Sequence, residues 1–204
     1  MTVPGPPIGV LLAAGRSRRM GRPKLLLPWP APDGPRAVIA AAFDAIAGAC
    51  REMVVVGAAD DETLAAAIAA ALDERRFRPA IPQGDEMIDS VRAGLLAARA
   101  IDHDADVLLQ PADHPEVTAG TLAALLAGRS DDDTAVFPAY DGRGGHPVLI
   151  PSGLFGDILS YDGPGGVRQF WRDNPDRCRR LQVDDPAVVH DLDTPDQWGG
   201  KSGQ

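Results

Sequence analysis

Between Gly15 and Lys24 the chain carries Arg16, Arg18, Arg19, Arg22 and Lys24, five cations within nine positions of a sequence whose formal net charge is −9. On an acidic protein such a local excess suits a small polyanion better than a polymer, because nonspecific binding to nucleic acid or anionic lipid follows the overall charge. The cluster comes directly after the apolar run Ile8 to Ala13, which closes on Ala13, Ala14 and Gly15. Small residues and a glycine after a strand let backbone N–H groups approach a polyphosphate. In such a loop, with Ser17 beside them, Arg19 can clamp phosphate oxygens in fork geometry and Lys24 adds a point charge. Two familiar phosphate loops do not fit. Gly15 and Gly21 are one residue too far apart for GxxxxGK, Gly21 is followed by Arg22, and no GxGxxG is present. A solvated basic loop is the alternative for these residues taken alone.

Carboxylates supply the complementary half. Asp113 follows the apolar stretch "DVLLQPAD" and precedes His114-Pro115, which keeps the backbone extended. Magnesium is commonly held by one or two carboxylates plus substrate phosphates, so one strand-end aspartate beside a cationic loop has a use. Asp113 alone would more often be a turn residue or helix cap, and its value comes from the pairing with the loop. In "HDLDTPDQW", Asp191 and Asp193 alternate and would share one side of an extended segment, and Asp193 reads as either a metal ligand or an N-cap. The stretch "RGGHPV" reads as a glycine-rich hairpin or flap in which His146 could contact a substrate or phosphate, although a lone histidine is more often a structural hydrogen-bonder. Four scattered histidines make no zinc spacing, and Cys50 and Cys178 fit neither a disulfide framework nor a metal motif.

These residues need a scaffold that gathers them. Ile8–Ala13, "MVVVG" from Met53, "RPAIP", "DVLLQPAD", "TAVFPAY" and "HPVLIP" read as strands. Between them, helices are expected over Ala37–Ala49, from an Asp60 or Asp61 cap to Leu72, over Met87–Ala98, from a Thr118 cap to Ala127, and over Leu154–Leu159. Strands alternating with helices imply an α/β fold, a Rossmann-like three-layer α/β/α sandwich with a mostly parallel sheet. Ligands in such sheets sit beyond the carboxyl ends of the strands, which puts Gly15 and Asp113 on one rim.

The 204 residues, 45% hydrophobic and 24% charged, suit one globular domain over residues 1–198, with residues 199–204 an expected disordered tail. No apolar run approaches the roughly 20 residues of a membrane span, and the N-terminus lacks the basic flank of a signal peptide, so a cytoplasmic protein with no membrane or nucleic-acid partner is expected. The proline-rich segment 28–35 suggests no function.

"LAAGRSRRMGRPK", Leu12 to Lys24, resembles the LxxGxSxRMGxxK signature of MobA-like nucleotidyltransferases. The resemblance continues in order through "PADHP", "RGGHPV" and "DLDTPDQW", spanning residues 8 to 198. Within the family the loop Ala13-Ala14-Gly15 is most similar to molybdenum cofactor cytidylyltransferases, where guanylyltransferases read Ala-Gly-Gly. The resemblance implies that Leu12, Ala13, Ala14 and Gly15 line the base and ribose, with Ser17 in the same loop, and that Arg19 and Lys24 bind the triphosphate. It implies Asp113 as ligand of Mg²⁺ and Asp193 as a second ligand, direct or through water. "MIDSVRAGL" is similar to the family's GMxxSxxxG segment, which brings Ser90 to the nucleotide. Glu86 stands where the family has glycine, and Pro82-Gln83 where asparagine is common.

The implied reaction is attack by an acceptor phosphate oxygen on the α-phosphorus of CTP, with release of pyrophosphate. The implied acceptor is the molybdenum cofactor, with a molybdoenzyme or its chaperone as a further partner and His146 in the acceptor pocket. A guanylyltransferase, a transferase for another small phosphate such as a sugar 1-phosphate, and a non-catalytic carrier of finished cofactor are the alternatives.

Overall fold

The computed structural model describes residues 5–15, 23–57, 61–73 and 75–190. In chain order its elements are β1 (Ile8–Leu12), the short strands β2 (Pro28–Trp29) and β3 (Arg36–Ala37), α1 (Val38–Ala47), β4 (Glu52–Val56), α2 (Glu62–Leu72), β5 (Arg78–Ala80), α3 (Met87–Ile101), β6 (Val107–Pro111), α4 (Ala119–Ala127), β7 (Ala135–Tyr140), β8 (Arg143–Gly144), β9 (Val148–Ile150), α5 (Phe155–Ser160), α6 (Gly166–Asp173) and β10 (Cys178–Gln182).

The main sheet runs β10-β7-β9-β6-β1-β4-β5, with β8 paired to β7. Its central strands β4, β1 and β6 are parallel and in register, so that Val56, Leu12 and Pro111 end level with one another. Apart from Glu52 at the start of β4 and Gln110 in β6 they are apolar, because both faces are covered. Alternation along them divides the core in two. Leu11, Val55 and Leu108 pack under α1, α2 and α4, while Val10, Val54 and Leu109 pack under α3, α5 and α6. This is the expected three-layer sandwich. Asp61 caps α2 by accepting from Leu64 N at 2.8 Å, and Thr118 caps α4.

Three features depart from the sequence reading. β9 is antiparallel to both β6 and β7, so the chain enters it at the rim where β6 and β7 leave. The segment after Leu159, for which no element is expected, folds into α6 and the edge strand β10, the latter parallel to β7. The proline-rich segment closes as the small β2-β3 hairpin over buried Trp29. The β7-β8 turn carries Asp141 at φ 48° and Gly142 at φ 74°, the pair of positive values that a two-residue type I′ hairpin requires. No helix among the described residues is long and apolar enough to cross a membrane. Arg16 to Arg22, Asp191, Asp193 and the expected tail lie outside the described residues.

Candidate active site

Two neighbouring strands deliver the core of the site. The Ala13 N–H donates to Val56 O at 2.8 Å and the Ala112 N–H donates to Leu12 O at 3.0 Å, each extending the ladder one residue past a strand end. Beyond that point Ala14 is half-buried and Gly15 exposed, while the chain from β6 turns through Asp113. The turn is fixed from beneath by Gln110, a fully buried amide whose Nε2 donates to His114 O at 2.8 Å and to Ala42 O at 3.3 Å. Gln110 is the polar exception in an otherwise apolar strand, and that mismatch was a signal in the sequence for a positioning role.

Lys24 opens a 3-10 turn, Lys24–Leu26, anchored by buried Leu25. Its Nζ donates to Asp113 Oδ2 at 2.7 Å, an ion pair whose members are 16% and 18% exposed and 89 residues apart in sequence. The second carboxylate oxygen, Asp113 Oδ1, is buried and accepts no hydrogen bond among the described residues. The His114 Nε2 lies 3.8 Å from it. A buried carboxylate oxygen left with unused acceptor capacity at a strand-end rim fits a hard divalent cation, which takes oxygen ligands. Among the described residues no three acidic, histidine or cysteine side chains cluster to hold a metal.

Antiparallel β9 brings His146 to the same rim. Its ring stands edge-on to that of His114, centroids 5.3 Å apart. The residue is half-buried but its Nδ1 is shut away from solvent. Burial, reinforced by the neighbouring His114 and partly opposed by Asp113, pushes His146 down to about 4, so at neutral pH it offers the site a neutral ring. Its backbone is fixed too, for the His146 N–H donates to Val188 O at 2.8 Å. Gly145 lies so close to Val188 that a Cβ would sit 2.0 Å from its carbonyl oxygen. Neither cysteine is an activated nucleophile: burial pushes Cys50 up to about 12 and raises Cys178 as well.

The structure therefore brings Leu12, Ala13, Ala14, Gly15, Lys24, Asp113 and His146 to one rim. Ser90 lies in the first turn of α3 and is buried. Glu86, where the family pattern has glycine, is the N-cap of α3, and its N–H donates to Asp89 Oδ2 at 3.1 Å. Ser17, Arg19 and Asp193 lie outside the described residues. From the rim a cleft of about 920 Å³ runs beneath the hairpin, lined by Leu12, Pro111 and His146 and, on its far wall, by residues of α6 and β10.

Residues 9–180 match the MobA-like NTP transferase domain. The chain belongs to that family. A nicotine blue oxidoreductase of Paenarthrobacter nicotinovorans is 32% identical over 197 residues, covering 93% of both chains. The molybdenum cofactor cytidylyltransferase of Escherichia coli is 24% identical over 198 residues, covering 93% of this chain and 92% of its own. Among solved structures, Rv0371c of Mycobacterium tuberculosis superposes with a TM-score of 0.76 at 27% identity, covering 96% of this chain and 97% of its own. A manganese complex of Rv0371c aligns at 0.68, at 27% identity and 95% and 96% coverage.

Proposed function

We propose that this member of the MobA-like family is a Mg²⁺-dependent cytidylyltransferase acting on a phosphorylated acceptor of the molybdenum cofactor type, with residues 1–198 working as one domain. The observation that carries the proposal is the Lys24–Asp113 pair at 2.7 Å, which joins the phosphate-binding loop to the strand-end carboxylate. The Ala13-Ala14-Gly15 loop and the full-length similarity to a cytidylyltransferase support CTP as donor.

An acceptor phosphate oxygen is already anionic, so the reaction needs no protein nucleophile and no strong general base. The acceptor oxygen attacks the α-phosphorus, a new P–O bond forms, the α–β bridging bond breaks, and pyrophosphate leaves with the electron pair. The chain's work is alignment and charge neutralisation. Leu12 to Gly15 would seat the nucleoside against the ends of β1 and β4. Lys24, released from Asp113 as the triphosphate arrives, would meet the charge growing on the leaving pyrophosphate together with Arg19. Asp113, with Asp193 as partner, would hold Mg²⁺. The bound ion supplies Lewis-acid neutralisation of the phosphate oxygens. Neutral His146 would border the incoming acceptor without adding charge.

The test incubates the protein with each of the four nucleoside triphosphates, Mg²⁺ and molybdenum cofactor, and follows pyrophosphate release. Release with CTP alone supports the proposal. Preference for GTP moves the chain to the guanylyltransferases, and transfer only to another phosphate moves the acceptor. The 32% identity to a protein named as an oxidoreductase favours a second reading, redox chemistry in the same cleft. Under that reading no triphosphate gives pyrophosphate.

A further inference from the structure

The far wall of the cleft is built from residues that the rim chemistry does not use. On α6, Arg168, Trp171 and Arg172 stand at i, i+3 and i+4, the spacing that puts side chains on one helix face, and all three line the cleft. From the sheet edge, Arg180 of β10 is the register partner of Phe137 on β7, and both line the cleft as well. The Trp171 ring meets Phe137 edge-on with centroids 5.3 Å apart, at 84°, and is braced behind by Phe170 at 4.8 Å.

The charges on this wall have no acidic partner among the described residues. Several arginines elsewhere on the surface are paired with carboxylates, as Arg36 and Arg75 are with Asp44, Arg78 with Glu52 and Arg177 with Asp157. Arg168, Arg172 and Arg180 are exposed and make no ion pair among the described residues. Among the described residues no aspartate or glutamate lines the cleft. On a chain of net charge −9, an aromatic wall flanked by three exposed guanidinium groups is an arrangement that binds a planar ring by stacking and anions by fork-shaped hydrogen bonds.

We infer that this wall is a binding site for a planar-ring compound bearing anionic groups, Trp171 and Phe137 taking the ring and Arg168, Arg172 and Arg180 the charges. Its assignment as the acceptor pocket rests on the transferase reading above; its chemistry does not. If the transfer reaction runs here, the wall selects a ring-bearing acceptor over a sugar 1-phosphate, which presents an anion without a ring.

Flavin mononucleotide, riboflavin and glucose 1-phosphate separate the two elements of recognition, since the first has ring and phosphate, the second only the ring, the third only the phosphate. Binding is read by flavin fluorescence anisotropy without nucleotide or metal, with glucose 1-phosphate as competitor. Flavin mononucleotide is expected to bind more tightly than riboflavin, and glucose 1-phosphate to compete poorly. Each of Arg168→Ala, Arg172→Ala and Arg180→Ala should weaken it about three- to fivefold and the triple variant by about thirtyfold or more. Arg76→Ala, which removes an exposed charge away from the cleft, should leave affinity unchanged. Equal competition by glucose 1-phosphate, or a triple variant with wild-type affinity, overturns the inference. A protein that binds flavin mononucleotide in this way but releases no pyrophosphate keeps the inference and rejects the transferase reading.

Discussion

At the rim, Lys24 and Asp113 are 16% and 18% exposed and neutralise one another at 2.7 Å. Along α6, Arg168 and Arg172 stand in solvent without an ion-pair partner among the described residues. The rim pair is held by parallel strands with core on both faces and by the Gln110 amide beneath the turn. The wall hangs on an edge strand and an eight-residue helix. A part-buried pair is self-satisfied at rest, and its members become available when a more highly charged ligand competes for both. An unpaired exposed cluster is available at all times, but each contact is worth less because water and salt screen it.

The rim should therefore be the more sensitive to substitution. Lys24→Ala or Asp113→Ala is expected to reduce pyrophosphate release about a hundred- to a thousandfold, corresponding to about 2.7 to 4 kcal/mol of lost transition-state stabilisation. Circular dichroism should show an intact fold. Near-normal turnover by either folded variant would place the chemistry elsewhere.

Between rim and wall, the segment after β10 decides whether the hairpin keeps its place. Asp185 is buried; its Oδ2 accepts from Thr118 N at 3.1 Å, Thr118 Oγ1 at 2.9 Å and Thr121 Oγ1 at 2.6 Å, and its Oδ1 from Ala187 N at 3.1 Å. Burial alone would raise this carboxyl, but the hydrogen bonds from Thr121, Thr118 and Ala187 outweigh it and hold it below its ordinary value of 3.8. A depressed carboxyl stabilises the fold above its unfolded value, and that contribution disappears as pH falls through the folded value. Asp185→Ala should cost about 1.5 to 3 kcal/mol in urea unfolding at pH 7. The gap from wild type should narrow below about pH 4; a gap independent of pH would show that the carboxylate charge is not what stabilises this corner.

Gly145→Ala tests the same connection at a single atom. A Cβ placed 2.0 Å from the Val188 carbonyl must push the segment after β10 away, costing about 1 to 3 kcal/mol as overpacking does. The smallest effect belongs to an exposed surface pair remote from both halves. Arg78→Ala removes the Glu52 bridge on the far edge of the sheet, and its thermal midpoint should match wild type. A clear drop would mean that surface pairing, and not the two-faced core, steadies the strands carrying the rim.

The sequence by itself determined the rim. Short apolar runs bounded by turn residues, the small residues Ala13 to Gly15, and Asp113 ahead of His114-Pro115 pointed to their places through local backbone chemistry, taken together with the cationic loop. The parallel sheet followed from the alternation of strands and helices. The wall was not legible in this way. "VRQFWR" carries the amphipathic spacing of a helix, but it sits after a glycine-rich turn. Nothing local says that its arginines face the same space as Phe137, some thirty residues earlier in sequence. That depends on β10 pairing with β7 and on β9 running antiparallel, which returns His146 to the rim of Asp113. Strand direction and edge pairing are settled by which faces must be covered across the whole sheet, a property of the assembled core that no short stretch of sequence contains.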